Sequence, residues 1–310
     1  MSKKISAIVC THNRAEYLKW AVESLLKQAL PREDYEVIVV DNASTDNTKN
    51  VIGSLVGQPD GLLRYVFEEQ LGLSAARNRG LKEARGRYVA FLDDDAVACG
   101  TWLEGILDIF ESLDPTPGCV SGKILPIWEG ARPEWLEKRL EGHLALQDWG
   151  DEAHFIGSRE WFAGANVSYP KDILEEAGGF DVSLGRIGNN LLSMEENLVR
   201  EKLEAMGYAY YYDPAVMVEH HIRTERLNRD WFVRRSYWNG VSQAVIDRKV
   251  KGFSILARSA KAVRVLLRMA TSPADLRGIL LPADKNNDLI TKCSVNARLG
   301  YVRGLFKKIP

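Results

Sequence analysis

The sequence lacks long apolar runs and paired cysteines, and both absences limit the classes of protein to which the chain can belong. No segment reaches the ~18 uninterrupted apolar residues that a membrane-spanning helix needs. The opening MSKKISAIVC becomes polar at THNR, which is too early for a signal peptide. The four cysteines form no CxxC pair and no cluster with histidine. We therefore expect free thiols and a cytoplasmic location.

The sequence also has little net charge, −1, but that charge is unevenly distributed. From Ile222 to the end, 19 lysines and arginines face 6 acidic residues, so this segment carries +13 and leaves −14 for residues 1–221. Apolar residues make up 45% of the chain, enough to bury a substantial core. We predict an α/β domain over residues 1–221 and a basic helical C-terminal extension over residues 222–310. No nucleic-acid partner is expected.

Short apolar runs alternate with helical patterns along the first hundred residues. Strands are predicted at Ile5 to Cys10, in EVIVV, at Leu63 to Phe67 and in YVAFL. A helix is predicted at Thr45 to Val56, with Ser44 or Thr45 as its N-cap. Strands alternating with helices indicate βαβ units, hence a central, mostly parallel sheet with helices on both faces. Later, AYYYDPAVMVEHH is typical of a closing strand pair.

Polar clusters follow three of the predicted strands: THNR after the first, DNAS after the second and DDD after the fourth. In an open α/β sheet, ligands bind outside the carboxyl ends of the strands. A solvated loop would explain one cluster, but three on one rim predict a binding site. Asp93, Asp94 and Asp95 repel one another, and either a hard divalent cation or hydroxyl donors would offset that repulsion. A cation there, Mg²⁺ or Mn²⁺, would bridge a diphosphate.

In order and spacing, SAIVCTHNR, VIVVDNASTDNT, GLSAARNRG, FLDDD and GGFD, with an acidic pair before a Gly-Tyr, resemble the family 2 glycosyltransferases of GT-A fold. The resemblance covers residues 5–221. It implies transfer of a sugar from a nucleoside-diphosphate sugar to an acceptor hydroxyl, in polysaccharide or glycoconjugate synthesis. It also implies a nucleotide-sugar site that contains Thr11, Asn13, Arg14, Asp41, Gly72, Arg77, Asp93 and Asp94. In that site Asp41 would bond the base and Asp93 the ribose.

The resemblance further implies a metal site and a catalytic base. Asp95 would bind Mn²⁺ or Mg²⁺, and His220, aligned with a Pro-x-x-x-Val-x-His pattern, would complete the site. Attack by a hydroxyl needs a carboxylate opposite the leaving diphosphate, and inversion follows from that arrangement. Glu195-Glu196 after Met194 stand where the family usually has Glu-Asp after glycine. By alignment Glu196 would be the base, and Glu195 remains the alternative. Acids also simply favour a helix N-terminus.

Two further segments bear on the acceptor. Trp161, Gly164, Ala165 and Asn166 resemble the stretch that shapes the donor-sugar and acceptor pocket, although aromatic residues in strands are often core. Trp231 alternates with cations on a predicted helix, which either binds an anionic, lipid-linked acceptor or packs the extension.

The run from Phe253 to Ala270 predicts a basic amphipathic helix. It either lies on the inner face of an anionic membrane, as a peripheral contact, or packs on the domain with its basic face in water.

Two other function classes fit parts of the sequence. Sugar nucleotidyltransferases usually carry an early glycine-rich phosphate loop, and THNRAEY has no glycine. A catalytically silent sugar-nucleotide or carbohydrate-binding protein would be favoured by loss of the acids, yet Asp93, Asp95, Glu195 and Glu196 are present. The sequence therefore favours a transferase, while the sugar, the nucleotide and the acceptor stay open.

Overall fold

The computed structural model describes residues 3–56, 61–188, 190–280, 282 and 286–308. These residues form two compact units. The first takes in those within Met1–Ile127, Ala145–Val182 and Glu195–His221, and the second those within Trp128–Leu144, Ser183–Met194 and Ile222–Pro310. The division predicted after residue 221 stays a prediction.

The elements alternate between strand and helix over the first part of the chain. The strands are β1 Ile5–Thr11, β2 Tyr35–Asp41, β3 Leu63–Phe67, β4 Tyr88–Asp93, β5 Ala96–Ala98, β6 Cys119–Ser121, β7 Ile124–Trp128, β8 His154–Phe155, β9 Asn166–Pro170, β10 Tyr210–Tyr212 and β11 Val218–Ile222. The helices are α1 Ala15–Leu26, α2 Thr48–Val56, α3 Leu73–Glu83, α4 Trp102–Ser112, α5 Lys138–Glu141, α6 Lys171–Glu176, α7 Glu195–Ala205, α8 Arg229–Lys251, α9 Ile255–Thr271, α10 Pro273–Leu280 and α11 Asn286–Phe306. Short 3₁₀ turns cover Gly142–Leu144 and Thr224–Arg226.

The large sheet of the first unit has the strand order β3-β2-β1-β4-β9-β6-β10-β8. The strands β3, β2, β1 and β4 run parallel, and β6 pairs parallel with β10. The strand β9 is antiparallel to both β4 and β6. A small sheet has the order β5-β11-β7. The predicted α/β architecture, a mostly parallel central sheet followed by a helical C-terminal region, is confirmed.

Side chains of the central strands alternate between two helical layers, as strand geometry requires. Ile8, Ile38 and Val89 belong to a core cluster that also contains residues of α3, α6 and α7. On the other face, the ring of Tyr88 stacks on Phe110 of α4 with centroids 4.7 Å apart. The sheet is therefore covered on both faces, and its open carboxyl rim is left to position polar side chains.

Two local predictions were wrong. The segments predicted as a closing strand pair are β10 and β11, and these lie in different sheets because β11 pairs antiparallel with β5. The helix predicted from Thr45 begins at Thr48, where the carboxylate of Asp46 accepts the Thr48 backbone N–H at 3.0 Å. Thr45 is not available to begin the helix because its N–H donates to Asn13 Oδ1 at 2.7 Å.

The second unit is built on the close packing of α8 against α11, which run in the same direction. A Cβ on Gly240 would overlap the carbonyl of Ala297, and one on Gly300 would overlap the carbonyl of Tyr237. Only glycine at these positions allows the two backbones to approach so closely. Among the described residues, no helix is long and apolar enough to cross a membrane.

Candidate active site

The loops after β1 and β2 are hydrogen-bonded to each other at the carboxyl rim of the sheet. Asn13 Oδ1 accepts the backbone N–H groups of Thr45 at 2.7 Å and Asp46 at 3.2 Å. Asn13 adopts φ 54° and Ala43 φ 52°, a region that costs a non-glycine residue free energy. The side-chain oxygen of Asn13 thus holds the DNAS loop in a strained, ordered conformation.

Asp41 ends β2 in a buried position beside Thr11, its register partner on β1. One carboxylate oxygen accepts the Ser44 N–H and the other accepts the Tyr65 hydroxyl, each at 3.0 Å. Burial and this hydrogen bond raise the pKa of Tyr65 to about 12. Tyr65 was not predicted, since nothing in its strand sequence distinguishes it from a core residue.

Asn42 ties the rim to the loop that precedes α3. Its amide nitrogen donates to the carbonyls of Glu68 at 3.2 Å and Gln70 at 2.7 Å, and its amide oxygen accepts the Gly72 N–H at 2.8 Å. Gly72 has φ 140° and immediately precedes the first turn of α3. Its backbone is therefore held at the rim with no side chain above it.

Asp94 and Asp95 form the turn between β4 and β5, and both bond Arg14 of the loop after β1. Arg14 Nη1 donates to Asp94 at 2.7 Å and to Asp95 at 2.9 Å. The charge of Asp94 raises the pKa of Arg14 above its ordinary value in spite of burial, and Asp95 adds to the effect. Burial raises the pKa of Asp94, although Arg14 opposes it. Thus Arg14 of the THNR cluster and two aspartates of the DDD cluster form a network of alternating charge.

Three candidate metal ligands converge beside this network. One ligand atom from each of Asp93, Asp95 and His220 lies within 4.8 Å of the others. His220 Nε2 is 3.0 Å from Asp95 Oδ1, and both side chains are almost fully buried. Asp95 directly precedes β5, which pairs with β11, and the His221 N–H donates to the carbonyl of Asp95 at 2.8 Å. Two carboxylates and an imidazole are a donor set that suits Mn²⁺ and also accepts Mg²⁺.

Arg77 of α3 is a buried cation that connects the two acidic sites. It donates to Glu195 Oε1 at 2.6 Å, to Asp93 at 3.3 Å and to the carbonyl of Gly164 at 2.9 Å. Burial lowers the pKa of Arg77, but the two carboxylates outweigh it and hold the pKa above its ordinary value. A Cβ on Gly164 would lie 2.6 Å from Arg77 Nη2, so a side chain there would displace the Arg77 guanidinium.

Glu195 and Glu196 open α7 but have different surroundings. Glu195 is buried against Arg77, whereas Glu196 is half-buried and borders a cleft. Met194, directly before them, has φ 71°, a conformation that glycine adopts without strain. This positive φ explains why the family usually has glycine at this position, where the present chain has methionine.

The cleft beside Glu196 is lined by aromatic and cationic side chains. Trp161, Tyr169, Arg200 and Tyr210 border it together with Glu196. The hydroxyl of Tyr210 is buried and makes no hydrogen bond to the described residues. The enclosed space is about the size of one water molecule, and Tyr169 and Tyr210 are almost fully buried, so of these side chains only Trp161, Glu196 and Arg200 can reach a bound sugar. The sequence prediction included Trp161 but missed Tyr169, Arg200 and Tyr210, which lie far apart along the chain.

The other predicted pocket residues are placed differently. Ala165 is buried, and Asn166 is fully buried with its side-chain oxygen accepting Trp102 Nε1–H at 2.9 Å. Its amide nitrogen donates to the carbonyl of Val216 at 2.9 Å. Trp231 lies in the first turn of α8, in the second unit. The contacts of Asn166 are those of a residue that fastens β9 to neighbouring elements.

The buried contacts of Asn166 predict a stability effect. Replacing Asn166 with leucine, which has the same branched arrangement of side-chain heavy atoms, would leave the Trp102 indole N–H and the Val216 carbonyl buried without partners. We expect the free energy of unfolding to fall by about 2 to 4 kcal/mol in urea denaturation. Equal stability of native and Asn166→Leu protein would contradict the structural role.

Comparison with known proteins agrees with this geometry. The glycosyl transferase family 2 model matches residues 6–158. The chain is 30% identical over 247 residues to the glucosyl-dolichyl phosphate glucuronosyltransferase of Haloferax volcanii, covering 79% of this chain and 77% of that protein.

Two solved structures share the fold. One is the mannosyltransferase PcManGT from Pyrobaculum calidifontis in complex with GDP-Man and Mn²⁺, with TM-score 0.59 and 20% identity over 99% of this chain and 88% of that chain. The other is S. aureus TarS 1-349 in complex with UDP, with TM-score 0.54 and 17% identity over 97% of this chain and 90% of that chain. With a relative this similar over more than two thirds of both sequences, and with the GT-A fold, the chain belongs to the family 2 glycosyltransferases.

Proposed function

We propose that this glycosyltransferase moves a sugar from a nucleoside-diphosphate sugar to an acceptor hydroxyl in a single displacement that inverts the anomeric carbon. The observation that carries the proposal is the difference in surroundings between Glu195 and Glu196. Glu195 is buried in an ion pair, while Glu196 borders an aromatic cleft. Retention by double displacement would need a second carboxylate as nucleophile, whereas inversion needs one base.

The nucleotide would occupy the rim built by the loops after β1, β2 and β4. Thr11, Asn13, Arg14, Asp41 and Gly72 line it, with Asp41 toward the base and Asp93 toward the ribose. The burial of Arg77 and its three protein partners favour a positioning role over its predicted contact with the nucleotide. The ion pairs of Asp94 with Arg14 favour a similar role for Asp94.

The residues present fit a divalent cation. Asp93, Asp95 and His220 offer two carboxylates and an imidazole within 4.8 Å of one another. Mn²⁺ is favoured over Mg²⁺ because a nitrogen donor suits Mn²⁺ better than Mg²⁺. A cation held there would neutralise charge on the diphosphate as it leaves.

In the transfer step, Glu196 accepts the proton of the acceptor hydroxyl as the hydroxyl oxygen attacks the anomeric carbon. The bond from that carbon to the diphosphate oxygen breaks, and its electron pair leaves with the nucleoside diphosphate. Glu195, fixed by Arg77, holds the first turn of α7 and so positions Glu196. Trp161, which is half-buried, would pack against the sugar and exclude water from the reacting carbon.

The acceptor is a saccharide or a lipid-linked sugar of a polysaccharide or glycoconjugate pathway. The Haloferax volcanii relative is named for a substrate linked to dolichyl phosphate, and this favours the lipid-linked class of acceptor. The enzyme would then work in the cytoplasm, at the inner face of the membrane, as a peripheral protein.

The test is an assay of uridine, guanosine and thymidine diphosphate sugars with Mn²⁺. We expect one class of donor to raise the melting temperature, since ligands that bind the native state stabilise it. With that donor, slow hydrolysis should release nucleoside diphosphate and a sugar whose first-formed anomer, seen by proton NMR, is inverted. Stabilisation without turnover would support a silent binding protein. Formation of nucleoside triphosphate from donor and pyrophosphate would support a nucleotidyltransferase.

A further inference from the structure

The helix α9 carries a face of apolar side chains that the protein leaves uncovered. Its exposed apolar residues are Ile255, Leu256, Val263, Leu266 and Leu267, of which Leu256 is 83% exposed and Leu267 61%. At 3.6 residues per turn, the five fall within an arc of about 120°. One side of a 17-residue helix is therefore apolar and open.

The next helix, α10, repeats the pattern. Leu276, Ile279 and Leu280 are exposed, Leu280 by 79%, and their spacing places them on one side of the helix. We call these three residues and the five of α9 the α9–α10 apolar face. Soluble monomers rarely leave so many large apolar side chains exposed on two neighbouring helices.

Another edge of each helix is anchored within the second unit. Ala262 of α9 packs in a small core with Ala244 of α8 and Leu305 of α11. In α10, Gly278 packs closely on Thr291 and Val295 of α11. Asp275, which is buried, forms an ion pair with Arg298 of α11. Both helices are thus folded onto α11 through their small and polar residues, with their leucines outside.

The polar side of α9 carries charge of one sign. Lys261, Arg264 and Arg268 lie within about 60° of one another on the side away from the apolar arc. The whole segment after His221 carries +13. A helix with an open apolar face and a basic polar face suits a bilayer surface with anionic headgroups. A second copy of this chain suits it less, because two such segments repel each other.

We propose that the α9–α10 apolar face inserts into the headgroup region of a bilayer that contains anionic lipids. This inference deepens, and rests on, the proposed membrane contact of the enzyme. The leucines bury themselves among the upper acyl chains, while Lys261, Arg264 and Arg268 extend to the phosphates. Apolar insertion therefore supplies binding that salt does not screen, and the basic residues supply the preference for anionic lipid.

The experiment is co-sedimentation of the full chain with vesicles of phosphatidylcholine alone and of equal parts phosphatidylcholine and phosphatidylglycerol. Leu256→Gln with Leu267→Gln removes apolar contact without changing charge. Arg264→Gln with Arg268→Gln removes charge without changing the apolar face. Met206→Gln, at an exposed methionine of the first unit, is the matched control. The four changed helix positions are exposed, so the variants should fold like the native chain.

We expect the native chain and Met206→Gln to bind the anionic vesicles, and the double leucine variant to bind at least ~10-fold more weakly at both low and physiological salt. The double arginine variant should lose binding mainly to anionic vesicles. Native affinity of the leucine variant, or a native chain that stays in the supernatant, would overturn the proposal. So would a native dimer, seen by light scattering, that the leucine variant dissociates.

Donor hydrolysis without vesicles separates this inference from the proposed function. All four proteins should hydrolyse the donor at the same rate in solution, because the changed residues lie outside the catalytic machinery. Absent hydrolysis in the native chain would count against the proposed transfer and say nothing of the membrane surface. Normal hydrolysis with no vesicle binding would overturn only the insertion of the α9–α10 apolar face.

Discussion

Glu196→Gln should lower the turnover of the transfer reaction by a factor of about 10² to 10⁴ while donor affinity stays close to native. Glutamine keeps the shape of the side chain but cannot take the acceptor proton. Glu196 borders the cleft, and Glu196→Gln leaves the hydrogen bond between Glu195 and the buried Arg77 in place. Steady-state kinetics and donor calorimetry on the same preparations measure both quantities.

The neighbouring Glu195 gives an internal comparison with a different expected signature. Its carboxylate lies 2.6 Å from Arg77, and both side chains are almost fully buried. Glu195→Gln should therefore lower the free energy of unfolding by about 3 kcal/mol, because it leaves Arg77 incompletely paired. Glu201→Gln, at an exposed acid of α7, should change neither stability nor turnover. If Glu195→Gln abolishes turnover with native stability while Glu196→Gln remains active, the assignment is reversed.

The alternation of strands and helices was predictable because it depends on local periodicity. β1, β2 and β4 lie where short apolar runs in the sequence end in polar clusters. The meeting of Arg14 with Asp94 and Asp95 follows, since the carboxyl ends of parallel strands share one rim. Local pattern together with one topological rule was enough for this part of the site.

Contacts between distant segments were not predictable in the same way. Arg77 and Glu195 are 118 positions apart, and no spacing rule relates a helix residue to the first turn of a later helix. Sequence alone left Glu195 and Glu196 equivalent in chemistry, and only burial distinguishes them. Similarly, Asp46 caps α2 because the N–H of Thr45 already donates to Asn13 in the loop after β1. This tertiary contact outweighs the local capping preference.

The apolar face of α9 was predictable from the sequence, but its surroundings were not. Periodicity predicted the amphipathic helix, and the structure contains it at Ile255–Thr271. A pattern indicates which side of a helix is apolar but not what covers it. The sequence was therefore equally consistent with packing on the protein and with an open face. The exposure of Leu256 and Leu267 favours the second alternative.

Asp95→Asn should make donor binding insensitive to Mn²⁺. In the native chain we expect Mn²⁺ to tighten binding of the nucleoside diphosphate by a factor on the order of 10² or more relative to EDTA. Asp95, Asp93 and His220 supply the only group of three or more acidic, cysteine or histidine ligands within reach of one cation in the described ranges. Asparagine keeps the shape of Asp95 and can still accept a hydrogen bond from Arg14 or His220, so the variant should fold.

Asp46→Asn is the matched control, because Asp46 is a carboxylate of the same rim that caps Ala15 and Thr48 and lies outside the metal group. It should keep the native response to Mn²⁺ in calorimetry. His220→Gln should weaken the response in the same direction as Asp95→Asn, since it removes the imidazole donor from the same group. Equal affinity of the native chain in EDTA and in Mn²⁺ would contradict the metal site. A full Mn²⁺ response in folded Asp95→Asn would show that Asp95 is not a ligand, and the charge of Asp95 would then serve to hold Arg14 at the nucleotide rim.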